Sequence, residues 1–424
     1  MYRAVVAALV CVAALSTTPA SGATTDSERN WPQWRGPAAS GVAPYATPPV
    51  EWAEDKNVRW KISAPGAGHA SPIVWGDRIY LLSAVESSAD ASKVQYTVLA
   101  LSRQDGSRLW ERVAREEPPH EGIHGTSTRA SGSAITDGER LYASFGSQGV
   151  YCYDMDGELQ WEVDLGDMRT RNEFGEGASP ALHGDRLVVP WDHEGESFIV
   201  ALDTGTGDEM WRNERDEATS WNTPLVVEHD GTVQVVVNAS NLIMSYDLAD
   251  GSLLWQCAGM TTNAIPSPVH AEGVVYVMSG FRGSALVAID LSRAAGDITN
   301  TDAVVWSRDR DTPYVPSPLL YDGTLYYVKG NNGILSAVDS ATGDSLYPAQ
   351  RLEGVREVYS SPVAADGRVY LADRDGNTVV LQDGDTFSVL ATNVLDDRFS
   401  ATPALVDGEI YLRGHEYLYC IADE

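Results

Sequence analysis

The eleven residues ALDTGTGDEMW, Ala201 to Trp211, constrain the fold of this chain more than any other stretch, because degraded copies of them recur along its length. The copies read ALSRQDGSRLW from Ala100 to Trp110, SYDLADGSLLW from Ser245 to Trp255, AVDSATGDSLY from Ala337 to Tyr347, and a shortened CYDMDGELQW from Cys152 to Trp161. Each joins an apolar strand end, a turn built on aspartate and glycine, and a second strand carrying a large aromatic, which is what a tight β-hairpin requires.

A second signal alternates with the first. The dipeptides Ser71-Pro72, Ser179-Pro180, Thr223-Pro224, Ser267-Pro268, Ser317-Pro318, Ser361-Pro362 and Thr402-Pro403, with Ser131-Gly132-Ser133 as a degenerate copy, each open an apolar strand. Proline is tolerated at a strand's first residue because its missing N–H costs nothing there. A short turn of the Asp-Gly or Gly-Asp type closes each of these strands, from Gly76-Asp77 to Asp407-Gly408. Eight openings define eight units. Several lie roughly 44 residues apart, each holding about four short strands with no helical periodicity, which is the signature of a β-propeller blade. The last unit stops one strand short, and VRWKI, Val58 to Ile62, is a fourth strand with no blade before it. The expected architecture is therefore all-β: an eight-bladed propeller of four-stranded blades, closed by the N-terminal strand completing the C-terminal blade, with no lone edge left over.

The first 23 residues, MYRAVVAALVCVAALSTTPASGA, have one basic residue, an apolar run and a small-residue end, which reads as a secretory signal cleaved after Ala23. Cys11 follows Val10, not the small residue a lipoprotein signal needs. An exported, periplasmic or secreted protein is expected, with an N-terminal arm over 24–57 and a single propeller domain over 58–424. Acidic residues number 60 against 30 basic ones, a net charge of −30. Such a field repels nucleic acid and anionic lipid, and no later stretch is long and apolar enough to span a bilayer. Beyond the signal, Cys152, Cys257 and Cys420 sit in apolar strand contexts and read as buried small hydrophobes, not a disulfide framework.

Blade geometry sorts the loops onto two faces. The turns between first and second strands and between third and fourth emerge on one face and are uniform Asp-Gly and Thr-Gly turns, fully explained by turn chemistry. The loops between second and third strands and the links between blades emerge on the other face and are not uniform. They hold Arg129, Glu173, Asp192, His193, Trp221, Arg282, Arg310, Tyr314, Asn331, Tyr359, Arg374, Arg398, Arg413 and His415. Guanidinium forks pair bidentately with carboxylates and aromatics offer stacking faces, so this set is the expected surface for an anionic or sugar-like ligand. The competing reading is a rim of solvated salt bridges worth little each.

Sharper motifs are absent or fail on spacing. His120 and His124 lie four apart, but Gly122, Gly125, Pro118 and Pro119 deny them a helix to align two metal ligands. DRDGN from Asp373 opens like a calcium loop but has Gly384 at the twelfth position where glutamate is needed. His193 between Asp192 and Glu194 has no nucleophile motif beside it, and no GxSxG, HExxH, Walker A or CxxC occurs. No catalytic residue and no metal site is read from the sequence.

The recurring A-x-D-x-x-T-G-x-x-x-W phrase resembles the tryptophan-docking motif of the PQQ-type, eight-bladed quinoprotein propellers, and Ala201 to Trp211 matches it throughout. The resemblance covers essentially the whole chain after the signal. It implies that Trp110, Trp161, Trp211, Trp255, Trp306 and Tyr347 pack between adjacent blades, with Trp60 doing so in the closing blade. In the seventh unit Val389 stands where the aromatic would be. The chain is most similar to the short exported members, among them the outer-membrane-assembly scaffold BamB, and lacks the adjacent cysteines and long excursions of the dehydrogenases. The resemblance thus implies a non-catalytic, monomeric binding or scaffold propeller with a protein, peptide or glycan partner in the cell envelope. The alternative it leaves open is an alcohol or sugar oxidoreductase dependent on PQQ and calcium.

Overall fold

Each repeat unit folds into one antiparallel sheet of four strands, as its turn chemistry dictates. Blade three is representative, with strands Ala181–His183, Arg186–Trp191, Ser197–Asp203 and Glu209–Arg215 in spatial order. The turns between first and second strands hold both central residues at positive φ in four blades, at Asp230-Gly231, Glu272-Gly273, Asp322-Gly323 and Asp366-Gly367. That is the type I′ geometry whose twist matches the flanking strands. The computed structural model describes residues 26–423; the signal sequence and its cleavage point lie outside them. Eight sheets make the ring, and Val58–Ser63 pairs antiparallel with Tyr417–Ala422 to complete the last blade. Blade four carries a fifth strand, Gly296–Asp297, parallel to its outer edge at Trp255. Cys152, Cys257 and Cys420 are free and buried in strands.

The core lies between the blades. Residues of blades two and three, including Tyr142, Val150, Leu187, Val189 and Val200, form one buried cluster; the other pairs from blades one and two to blades six and seven form one each, and blades seven, eight and one share a single cluster with the arm. Inner strands are therefore apolar on both faces, as in LVVPW, Leu187 to Trp191, all buried. Outer strands alternate because one face meets solvent: Met210 is exposed and Trp211 buried.

The docking residues fix how one blade meets the next. The indole N–H groups of Trp60, Trp110, Trp161, Trp211 and Trp306 donate to the carbonyls of Arg103, Met155, Thr204, Leu248 and Ser340, at 2.9–3.1 Å. Each acceptor opens the second hairpin turn of the following blade. The glycine of that same turn explains the Thr-Gly of the repeat. Gly106, Gly157, Gly207, Gly251 and Gly343 all have positive φ, and a Cβ there would stand 2.6–3.0 Å from a ring atom of the incoming tryptophan. Blade five departs from this pattern because Ala294 stands in the position of that glycine and its turn coils into a 3-10 turn, Leu291–Arg293. Trp255 stays buried in the core shared by blades four and five, but its indole bonds Gln234 Oε1 at 2.9 Å within its own blade. Tyr347 has no indole and packs edge-tilted on Phe387. At blade seven the missing aromatic is supplied from elsewhere: Val389 is exposed, whereas Trp52 of the N-terminal arm is buried in the core that blades seven and eight share, with its backbone N–H on Asn393 Oδ1.

The opening serines and threonines do more than precede proline. Ser71 N–H donates to Ser133 Oγ, Ser133 to Ser179, Ser179 to Thr223 and Thr223 to Ser267; Ser267 then donates to Ser317, Ser317 to Ser361, Ser361 to Thr402 and Thr402 back to Ser71. These bonds, 2.8–3.1 Å long, form a closed belt around the propeller axis. A buried amide must find an acceptor, and the hydroxyl of the following blade supplies it.

The arm enters the axial channel from the face of the uniform turns. Trp31 exchanges both backbone hydrogen bonds with Val74, Thr136 N–H bonds Pro32 O, and Trp34 reaches up to the belt with its indole on Thr402 Oγ1. Arg35 crosses to Pro318 O of blade six, and Gly41 and Ala43 pair with Ala364 of blade seven. The segment NWPQWRGP is thus a plug on that side of the channel, and the tryptophans staple it across several blades.

Candidate functional site

The plug fills the centre of its face and leaves a groove beside it, lined by Gln33, Pro37, His183, Leu225 and His270. The opposite face carries a cleft over blades one to three, walled by the links 118–134, 164–180 and 216–224 and floored by Tyr96, Phe145 and Trp191. The links are long because they carry loops that hold one another. Glu121 accepts from the Thr170 N–H and hydroxyl, Arg171 N–H donates to Thr219 Oγ1, and Thr126 meets the Tyr359 hydroxyl from across the axis at 3.2 Å.

Of the residues expected on this face, Arg129, Asp192 and Trp221 line the cleft. Trp221 donates its indole N–H to Gly175 O at 2.7 Å, with Phe174 beside its ring. Asp192 is fully buried and paired with an equally buried Arg215, Nε to Oδ1 at 2.7 Å, with Ser220 Oγ on its other oxygen. That pair is spent inside the wall; removing either member would strand a buried charge. Glu173 accepts the Gly122 N–H at the rim. His193 sits below, its Nδ1 accepting from Arg169 N–H, so it tethers a loop.

A second group gathers over blades seven and eight. Arg374 lies over the Tyr359 ring at 4.6 Å and pairs with Glu357, Arg398 is exposed, and His415 stacks against His69 at 5.1 Å. Burial, with His415, Arg413, Arg374 and Arg398 nearby, pulls His69 down to about 3, so it is neutral. Arg413 is wholly buried, bonding Leu82 O and Ser83 Oγ of blade one, and burial lowers it to about 10. It is a blade-to-blade staple with no surface to offer. A third group, over blades five and six, has Tyr314 stacked on Phe281 at 4.8 Å, Arg282 over that same ring, Arg310 exposed, and Asn331 accepting from Val315 N–H. The fourteen residues thus form three separate groups on one face, not one ring. Asp373, of the calcium-like DRDGN, accepts the N–H groups of Asp375 and Asn377 and closes an Asx turn.

Sequence reasoning missed one juxtaposition. His120 and Glu121 from the link after blade one meet Glu176 from the link after blade two, with ligand atoms within 4.8 Å of one another. Glu176 is pushed up to about 7, chiefly by burial, against the opposing pull of two Ser147 hydrogen bonds at 2.5 and 2.8 Å. His120 and Glu176 are far apart in the chain, so no spacing motif announces them.

The cleft is a poor match for the quinone that the resemblance leaves open. PQQ is a tricarboxylate, and the lining sets one guanidinium, Arg129, already bonded to Glu121 O, against the carboxylates of Glu121, Glu176 and Asp192. Cys152, Cys257 and Cys420 lie in different blades, so no adjacent pair covers a ring.

Among solved structures, the chain is similar to BamB from Moraxella catarrhalis, with TM-score 0.58 and 14% identity over 85% of this chain and 98% of that one. It is also similar to the quinohemoprotein alcohol dehydrogenase from Comamonas testosteroni, TM-score 0.63 and 12% identity over 93% and 80%. The corresponding enzyme ADHIIG from Pseudomonas putida HK5 matches with TM-score 0.60 and 11% identity over the same shares. These likenesses show a common fold. No curated protein matches in sequence. A family model described as outer membrane protein assembly factor BamB matches residues 50–189, 146–297 and 295–423.

Proposed function

The chain belongs to the family of outer membrane protein assembly factor BamB, and from that premise we propose that it is an exported, non-catalytic propeller of the cell envelope. It binds a protein, peptide or glycan partner through the face of interblade links, and it acts as a monomer with residues 58–424 as its propeller and 24–57 as its arm. One observation carries this reading. The centre of the face of uniform turns is filled by the chain's own Trp31 to Ala43, and the clustered arginines and aromatics stand with a cleft on the other face. In a protein of net charge −30, exposed cations such as Arg282, Arg310 and Arg398 are where an acidic or sugar ligand finds complementary charge.

The test titrates the protein, freed of its signal, with PQQ and calcium while following tryptophan fluorescence and dye reduction by alcohols. The expected result is neither saturable binding nor turnover, alongside an envelope partner whose retention falls at least tenfold in the Arg282→Ala, Arg374→Ala, Arg398→Ala triple variant. Turnover, or a partner indifferent to the triple variant, overturns the reading.

A further inference from the structure

We propose that His120, Glu121 and Glu176 form a binding site for a divalent transition cation, zinc foremost, which ties the link after blade one to the link after blade two. The donors already stand close to coordination distances. His120 Nε2 is 3.6 Å from Glu176 Oε1 and 2.9 Å from the Met168 carbonyl oxygen, and all three side chains have ligand atoms within 4.8 Å. A cation at about 2.0–2.2 Å from each ligand needs donors about 3–4 Å apart. The His120–Glu176 and His120–Met168 separations are close to that spacing, and Glu121 offers a carboxylate oxygen within 4.8 Å of the other two side-chain ligands. Thr170 donates to both Glu121 oxygens and Ser147 to both Glu176 oxygens, which orients the carboxylates and leaves each oxygen a lone pair.

An independent observation points the same way. Gln148 is 4% exposed, and its Oε1 has no hydrogen-bond partner among the described residues. The amide lies against the other side of His120, with Nε2 at 3.4 Å from Nδ1. A histidine that ligates through Nε2 carries its proton on Nδ1 and donates it to an outer acceptor. Turning the Gln148 amide over places the orphaned oxygen at Nδ1–H and fixes that tautomer; which way the amide points is set by the proton it meets. One imidazole with carboxylates and a carbonyl suits zinc or manganese, whereas calcium takes six to eight oxygens.

The experiment uses the full chain without its signal, stripped with EDTA and titrated with zinc chloride by calorimetry. One saturable site is expected, weakened at least tenfold by His120→Ala and by Glu176→Gln. His124→Ala, whose ring bonds Thr126 outside the cluster, is expected to bind as wild type. Cobalt substitution is expected to give visible bands in wild type and His124→Ala and none in His120→Ala. Circular dichroism of each variant separates lost ligation from lost fold, and Glu121→Gln serves if His120→Ala does not fold. No zinc binding, binding that survives His120→Ala and Glu176→Gln, or a site that takes calcium and not zinc would each overturn the proposal.

Discussion

Two glycines with the same backbone angle separate the turn from the docking. Gly207 has φ +77° and Gly231 φ +78°, so alanine at either meets the left-handed region at a cost of roughly 1–2 kcal/mol. They differ in surroundings. A Cβ on Gly231 meets nothing within 4 Å, whereas on Gly207 it stands 2.8 Å from Trp161 Cε3 and 2.9 Å from Cδ2. Carbon atoms settle about 3.5–4.0 Å apart, so the ring must move. Trp161 is held by its bond to Thr204 O at 2.9 Å and is 8% exposed, so it has little room to retreat. Overpacking of this kind costs about 1–3 kcal/mol. The expected losses are then about 1–2 kcal/mol for Gly231→Ala and about 2–5 kcal/mol for Gly207→Ala, from the sum of these two terms. Guanidinium unfolding followed by tryptophan fluorescence measures both, provided the m-values agree; if unfolding is irreversible, unfolding rates replace midpoints. Losses equal within about 0.5 kcal/mol would refute the claim that this glycine exists for the neighbouring tryptophan.

Ser317→Ala removes the acceptor of the Ser267 N–H and opens the belt, so a loss of about 1–3 kcal/mol is expected in denaturant, while Ser317→Thr keeps the hydroxyl and changes stability by about 0.5 kcal/mol or less. Trp52→Ala empties the space between blades seven and eight, and about 3–5 kcal/mol of stability should go with it. Glu176 has a folded value of about 7, above its ordinary 4.5. Its contribution to stability is therefore complete below about pH 4.5 and is lost as pH rises through 7. In EDTA, Glu176→Gln should match wild type at pH 5 and exceed it by about 2–3 kcal/mol at pH 8, read from unfolding midpoints; equal stability at both pH values would contradict the buried carboxylate.

The fold was legible because a propeller writes its architecture locally. Strand, turn and docking aromatic recur within one unit, and a chain that stops one strand short after opening with a spare strand states its own closure. What stayed hidden depends on partners distant in sequence. The opening serines were visible as punctuation, but their role as acceptors for the preceding blade's N–H appears only when eight units stand in a circle. Trp52 replaces a docking residue some 340 positions away, adjacent to Asn393. Loop irregularity set one face apart from the other in the sequence, yet Arg413 looked like its equals and is a buried staple, because nothing local distinguishes a guanidinium aimed outward from one bonded to Leu82 O and Ser83 Oγ. His120 and Glu176 met for the same reason.

The central claim is that one face, and not the other, meets the partner. A photo-crosslinking residue at Arg310, on the face of links, and at Asp366, in a turn on the opposite face, tests it in the full propeller exposed to envelope extract. The account predicts a discrete adduct from position 310, competed away by unlabelled wild-type protein, and none from position 366. Adducts from position 366 alone, or from both positions equally, would contradict it.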